Sequence, residues 1–191
     1  MTGPPPIEVV HVGDAELSDD VVRELVNGIS RMMGTPVSLG ERLALSELIP
    51  SSASSAPTDP DDDRLCSNRL VDSLREHFSR ADAGGPHWVL GVTAHDLYAP
   101  DRPFVFGEAT FGGRWAVVSA ARFGIPARGS PRLLDRLLKE SLHELGHLGS
   151  VGHCDESSCV MSTSRRVADI DRKNLEFCGD CARRIFPDKG S

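Results

Sequence analysis

The chain has 191 residues, of which 39% are hydrophobic and 26% are charged, as is typical of one globular domain that buries a real core. Acidic residues outnumber basic ones by 28 to 21, and the net charge of −7 argues against a nucleic-acid partner. There is no apolar run long enough to cross a membrane, and the first residues do not resemble a signal peptide. We therefore expect a cytoplasmic protein with no membrane partner.

The first part of the sequence combines short β-branched stretches with one amphipathic helix. Residues 7–12 are typical of a strand. A helix should begin after Ser18, whose hydroxyl can cap it, and should end at Gly34. Residues 37–49 are ambiguous but could hold a second strand. The stretch 50–63, rich in Ser, Ala, Pro and Asp, is predicted to be a flexible loop.

A second helix and three strands are predicted next. The helix runs from about Asp63 to Arg80 and carries Cys66 on its apolar face, where we expect a buried, unreactive thiol. The three strand-like segments are residues 87–94, 103–111 and 114–123. Gly112 and Gly113 separate the last two segments, which predicts a hairpin with a two-residue loop.

The clearest helix starts at Ser130 and Pro131, a capping residue followed by a proline suited to the first helical turn. An apolar stripe of leucines extends this helix to about residue 148. The predicted order is β-α-β-α-β-β-β-α, followed by a cysteine-rich tail. This order predicts a mixed α/β sheet with helices packed against it.

This helix contains the residues from His143 to His147, which include Glu144. The two histidines are four residues apart and lie on one helix face, so both rings can reach a single metal ion. Glu144 lies off that face, where it can accept a proton from water activated by the metal. The same five-residue pattern also arises by chance in helices that bind no metal.

His153 strengthens the metal interpretation. Three histidines with one open position describe a catalytic zinc site rather than a closed structural one. The chain must turn sharply after His147 to bring this third ring back. Either Ser150 adopts a left-handed conformation, which costs a non-glycine residue about 1–2 kcal/mol, or Gly149 makes the turn instead.

Four of the five cysteines lie in the last part of the chain. They form two pairs, Cys154 with Cys159 and Cys178 with Cys181, a spacing typical of a tetrahedral zinc site. A redox-active Cys178–Cys181 pair and two disulfides remain as alternatives, although a cytosolic chain disfavours both.

These motifs together resemble the archaemetzincins, a small family of metzincin metallopeptidases, over residues 143–181, and the strands between Asp96 and Ser119 are also similar. The resemblance implies an α/β (α+β) metzincin-like fold, a mixed twisted sheet with backing and active-site helices and a small C-terminal subdomain stabilised by zinc and four cysteines. It implies Glu144 as the general base and Met161 in a methionine turn beneath the catalytic metal. It also implies two zinc ions per chain, a catalytic one held by His143, His147 and His153 and a structural one held by Cys154, Cys159, Cys178 and Cys181. The metzincin pattern has glycine where this chain has Ser150.

We therefore predict one metallopeptidase domain over residues 1–191, with the sheet and the active-site helix in 1–149 and a zinc-binding subdomain in 150–191. The predicted activity is hydrolysis of peptide or protein substrates by a zinc-activated water, with Glu144 as base, in a monomer. Whether cleavage is internal or from an amino terminus is left open. The alternative is a zinc-binding protein whose histidine site is degenerate and not hydrolytic, which Ser150 favours and Glu144 disfavours. A nucleic-acid-binding cysteine module is a weaker alternative, because acidic residues flank the cysteines.

Overall fold

The computed structural model describes residues 3–13, 17–48, 64–80, 87–124 and 130–187. In chain order, the elements are β1 (Ile7–Val12), α1 (Asp19–Met33), β2 (Val37–Leu43), α2 (Leu45–Leu48), β3 (Leu65–Cys66), α3 (Ser67–Arg80), β4 (Trp88–Thr93), β5 (Leu97–Ala99), β6 (Arg102–Val105), β7 (Gly107–Ala109), β8 (Trp115–Ser119), α4 (Pro131–Leu148), α5 (Val167–Arg172) and α6 (Gly179–Ile185). No helix within these ranges is both long and apolar enough to cross a lipid bilayer.

A five-stranded sheet has the order β2-β1-β4-β8-β7. The first four strands run parallel, and β7 pairs antiparallel with β8 at one edge. Strands β3, β5 and β6 form a separate, smaller sheet. The predicted mixed α/β architecture is therefore confirmed.

Alternating side chains on the central strands face two different cores. Val9 and Leu90 belong to the core shared with α1 and α4, whereas Val10 and Val89 belong to the core shared with α3. All six residues of β4 are buried, as expected for a parallel strand covered on both faces. Helices thus pack on both faces of the sheet, and α4 lies beneath the edge strand β7.

The capping residues begin and end the helices where the sequence predicts. The hydroxyl of Ser18 accepts from the backbone N–H of Val21, and Gly34 ends α1 in a left-handed conformation. Ser130 caps α4 in the same way, ahead of Pro131. The strand at residues 7–12 and both of these helices are confirmed.

The predicted strand 103–111 is wrong as a single element. Residues 102–105 join the smaller sheet, and residues 107–109 join the main sheet, because the chain changes sheets at the buried Phe106. The two-residue hairpin loop is also wrong. The N–H of Thr110 donates to the carbonyl of Trp115, which leaves a four-residue turn between them.

The second predicted helix begins later than expected. Leu65 and Cys66 form β3, because the N–H of Leu65 donates to the carbonyl of Asp96 and Cys66 pairs with Tyr98. Cys66 is therefore half-buried in a strand rather than buried on a helix face. The ambiguous segment contains β2 followed by the short α2. The predicted loop 50–63 lies outside the described residues.

Helix α4 ends in a Schellman motif, a backbone pattern that closes the last helical turn. The N–H of Val151 donates to the carbonyl of Gly146, and the N–H of Ser150 donates to that of His147. Ser150 has φ +62°, and it is the only described non-glycine residue with positive φ. Gly149 has φ −77°. Ser150, and not Gly149, therefore makes the sharp turn after His147.

Two ion pairs connect the segment after this turn to α4. Arg136 makes two hydrogen bonds of 2.7 Å to Asp171 of α5. The Nζ of Lys173 lies 2.7 Å from Oε1 of Glu140, and both side chains are almost fully buried. Breaking a buried ion pair is costly, because the remaining charge has no partner. These contacts fix the C-terminal segment relative to α4.

Replacing Ser150 with glycine should stabilise the fold. Glycine removes a penalty of about 1–2 kcal/mol for the left-handed conformation. It also loses more backbone entropy on folding, which costs about 0.5–1 kcal/mol. The expected net gain of about 0.5–1 kcal/mol corresponds to a rise of about 2 °C in the melting temperature. Thermal unfolding followed by circular dichroism measures it. Ser150→Ala, which keeps the Cβ, should show no gain, and a Ser150→Gly variant that melts no higher than wild type would contradict strain at this position.

Candidate metal centre

Two backbone carbonyls orient the histidines of α4. The Nδ1 of His143 lies 2.9 Å from the carbonyl oxygen of Val160, and the Nδ1 of His147 lies 2.8 Å from that of Val151. A carbonyl oxygen only accepts, so each Nδ1 carries the proton and each Nε2 has a free lone pair. Histidines that bind metals usually donate their second ring nitrogen to such a partner.

The two free nitrogens point at each other. Nε2 of His143 and Nε2 of His147 are 3.1 Å apart. Two lone pairs at this distance repel unless a proton or a cation lies between them. Zinc–nitrogen bonds of 2.0–2.1 Å in a tetrahedral site would separate such atoms by about 3.3 Å. The donor set therefore fits a zinc ion.

His153 comes to the same place after the turn at Ser150. Its ring centre lies 5.3 Å from that of His143 and 4.9 Å from that of His147. One ligand atom from each of the three histidines lies within 4.8 Å of the others. The structure thus brings together the three predicted histidines.

The pKa values of all three histidines are lowered. Burial is the largest cause for each ring, and the positive charge of Lys173 adds to it. His143 is the most strongly affected, because it is fully buried. The rings are therefore neutral at neutral pH, the form that binds metals.

Glu144 is buried beside the histidines and lies against β7. A Cβ on Gly107 would lie only 2.5 Å from Oε1 of Glu144, so glycine is needed there. Burial raises the pKa of Glu144 well above its usual range, and the nearby charges of Glu140 and Glu108 raise it further. A carboxyl with a raised pKa is suited to proton transfer near neutral pH.

Met161 is fully buried and packs against α4. Its sulfur packs so closely on Gly146 that even a Cβ at Gly146 would clash with it. The carbonyl of Met161 accepts from the N–H of Cys154. Gly146 within the His143–His147 motif therefore leaves room for the Met161 side chain.

Sequence reasoning missed Glu140, Lys173 and Ser164. The hydroxyl of Ser164 and the ammonium of Lys173 both donate to Oε1 of Glu140. The same ammonium lies 3.5 Å from Nδ1 of His143. Glu140 could have been found, since it lies three residues before His143 and so near the same helix face. Lys173 gave no signal, because it is distant in sequence.

The four C-terminal cysteines form a second group. All five cysteines of the chain are free, and the sulfurs of the C-terminal four lie within 4.8 Å of one another. The sulfurs of Cys154 and Cys178 are 3.7 Å apart, close to the separation of about 3.8 Å that zinc–sulfur bonds of 2.3 Å would give in a tetrahedral site. No disulfide is formed, so the donor set fits zinc.

The pKa shifts differ among the thiols of this cluster. The backbone N–H of Cys181 lowers the pKa of Cys178, whereas burial raises the pKa of Cys154 and of Cys181. A bound cation would favour the thiolate form of all four. Cys66 lies outside this cluster.

An open cleft of about 690 Å³ gives access to the histidines. Its walls come from β6, β7, Phe111, α4, His153 and residues 163–165. The carbonyl of Phe106 and the N–H of Thr110 bond to β8, so the backbone groups of Gly107 and Ala109 point away from the sheet. The cleft thus combines three neutral imidazoles, a buried carboxyl and an unpaired strand edge.

Several known proteins are similar to this chain in sequence and in fold. The archaemetzincin of Methanopyrus kandleri is 47% identical over 117 residues, 61% of this chain and 62% of that protein. The archaemetzincin of Haloarcula marismortui is 31% identical over 187 residues, 94% of this chain and 99% of that protein. A crystal structure described as a zinc-dependent peptidase from Methanocorpusculum labreanum has a TM-score of 0.77 at 26% identity and covers 94% of this chain and 99% of its own.

The first of these alignments spans less than two thirds of the relative, whereas the second spans nearly all of it. A family model described as peptidase family M54 matches residues 69–186, which is more than half of the chain. That range includes the three histidines, Glu144, Met161 and the four C-terminal cysteines. The chain therefore belongs to peptidase family M54, the zinc metallopeptidase family of the archaemetzincins.

Proposed function

We propose that this chain hydrolyses peptide bonds, with a zinc ion held by His143, His147 and His153 and with Glu144 as the general base. The observation that carries the proposal is the 3.1 Å separation of two Nε2 atoms whose rings are fixed by carbonyls on their far sides. The third histidine and a buried carboxyl lie beside them at an open cleft. A site built only for structure has no need of that carboxyl.

The three histidines would hold the zinc ion, whose Lewis acidity would polarise the scissile carbonyl and make water easier to deprotonate. Glu144 takes the proton from the attacking water and later delivers it to the leaving amine. The contact with Gly107 keeps the carboxyl at the floor of the cleft, close to the strand edge.

The edge of β7 supports binding of an extended peptide. The backbone groups of Gly107 and Ala109 can pair with a substrate strand, as in β-augmentation. Such pairing recognises the backbone of any sequence and holds it along α4. Substrate side chains would then be distinguished by the walls of the cleft.

We propose a second zinc ion at Cys154, Cys159, Cys178 and Cys181, with a structural role. The segment from His153 to Met161 contributes to both groups, since it carries two of these cysteines, the third histidine and the carbonyl that binds His143. Metal at the cysteines would therefore fix part of the histidine site. We propose the same division as the sequence analysis, residues 1–149 and a zinc-binding subdomain at 150–191, in a single-domain monomer that acts on peptide or protein substrates.

The alternative, a degenerate histidine site, rested on Ser150. Ser150 adopts the left-handed conformation that glycine favours and completes the turn. The ring of His147 is fixed by the carbonyl that follows this turn. The serine therefore costs stability without distorting the histidine group, and this favours the hydrolase.

Replacing Glu144 with glutamine should separate catalysis from metal binding. The amide keeps the size of the side chain but cannot take a proton, so hydrolysis of a peptide library should fall by about 10²–10⁴-fold. Zinc content should be unchanged, and the melting temperature should stay level or rise, because a buried carboxyl is removed. Activity, metal content and thermal unfolding are measured on the same preparations.

The control for this experiment is Glu24→Gln, the same change on the exposed face of α1. It should leave all three quantities unchanged. If Glu144→Gln and wild type hydrolyse the library equally fast with equal zinc content, Glu144 is not the base and the degenerate-site alternative is favoured.

Two metal sites of different lability should be found in the purified protein. The histidine site has an open coordination position, so a mild chelator at neutral pH should remove its zinc first. Four thiolates should hold the second ion through that treatment, since binding at such sites releases about 10–16 kcal/mol in small zinc peptides. The zinc content measured during chelation should fall from two ions per chain to a plateau at one. One ion at the start, or loss of both together, would contradict this assignment.

A further inference from the structure

The aromatic ring of Phe111 is exposed at the rim of the cleft. Within the described ranges, two large hydrophobic side chains are exposed, Phe111 at 63% and Leu39 at 43%. Leu39 lies on β2, at the opposite edge of the main sheet. Phe111 lines the cleft, and its ring centre is 6.3 Å from that of His147. An exposed ring in such a position indicates a binding surface.

The turn that carries Phe111 is rigidly held. The N–H of Gly112 donates to the carbonyl of His147 at 2.9 Å, and that of Gly113 donates to Thr110 at 2.7 Å. Gly112 has φ +64°, and a Cβ there would lie 2.8 Å from Oγ of Ser150. The turn is thus anchored to the C-terminal end of α4. The backbone holds Phe111 at the rim, so its exposure is not that of a loose loop.

Phe111 lies where a peptide paired with β7 would pass. Gly107 contacts Glu144, and Phe111 lies beside His147, so β7 and its turn run along α4 from the carboxyl to the second histidine. A substrate strand laid along Gly107 and Ala109 therefore continues past the ring. An apolar side chain that covers the ring removes apolar surface of both partners from water.

We propose that Phe111 is a specificity-determining residue, whose ring forms the wall of a subsite for a large apolar side chain of the peptide substrate. The inference rests on the proposed peptide hydrolysis and assigns its substrate class, peptides with Phe, Tyr, Leu or Met at one position near the scissile bond. The backbone that carries the ring is already held in place, so less conformational entropy is lost on binding than for a mobile loop.

The test compares Phe111→Ala with wild type on a positional-scanning peptide library. Wild type should prefer large apolar residues at one position over glycine. Phe111→Ala should lower kcat/KM about tenfold for the best apolar peptide and leave kcat/KM for the matched glycine peptide unchanged. Phe111→Trp, which keeps an aromatic ring at this position, should retain most of the preference for apolar peptides. Leu39→Ala, which removes the other exposed hydrophobic side chain, should change neither value.

A measurement of peptide binding tests this inference separately from the proposed hydrolysis. The Kd of the same two peptides is measured by fluorescence anisotropy on zinc-loaded Glu144→Gln, with and without Phe111→Ala. A preference for the apolar peptide that Phe111→Ala abolishes supports the inference, even if no variant hydrolyses peptides and the hydrolase proposal fails. Hydrolysis with an apolar preference that survives Phe111→Ala, a preference for Lys or Arg, or no preference in either arm overturns the inference. A dimer that Phe111→Ala converts to a monomer also overturns it, since a second copy would then cover the ring.

Discussion

Two backbone carbonyls determine how the histidine group is built. The oxygens of Val151 and Val160 accept the Nδ1 protons of His147 and His143, and so aim both Nε2 atoms at one point. One carbonyl directly follows the Schellman turn, and the other lies between Cys159 and Met161. The metal centre therefore depends on how the chain is folded after α4, and the helix by itself would leave both rings free to rotate.

This arrangement buries ionisable carboxyl groups in α4, and their burial is unfavourable for folding. Helix α4 carries two buried carboxyls, Glu140 and Glu144, close to the buried ring of His143. Lys173 and Ser164 compensate Glu140, so its charge is satisfied within the protein. Glu144 has no such partner among the described residues, and its pKa is raised instead. Burial of such a carboxyl is unfavourable for folding, and a proton or a bound cation would relieve it.

Local signals in the sequence predicted much of this structure. Ser18, Gly34, Ser130 and Pro131 mark helix ends through their own backbone and side-chain chemistry, so α1 and α4 were predicted correctly. Spacing within one helix and within short cysteine pairs predicted which ligands would meet, and the family resemblance is confirmed. The division of residues 103–111 between two sheets could not be predicted, because it depends on where Phe106 is buried. Lys173 and the Val160 carbonyl act through contacts between distant segments, which leave no local pattern. The choice between Gly149 and Ser150 depended on backbone geometry that composition does not encode.

The ring tautomers of the histidines test the central claim most directly. Nitrogen-15 NMR of histidine-labelled, zinc-loaded protein distinguishes protonated from metal-bound ring nitrogens. The two carbonyl bonds predict that His143 and His147 carry a proton on Nδ1 and bind metal through Nε2, and that removing the labile zinc changes the Nε2 signals while leaving Nδ1 protonated. Protonated Nε2 atoms in the zinc-loaded protein, or signals that do not respond to zinc, would contradict the account.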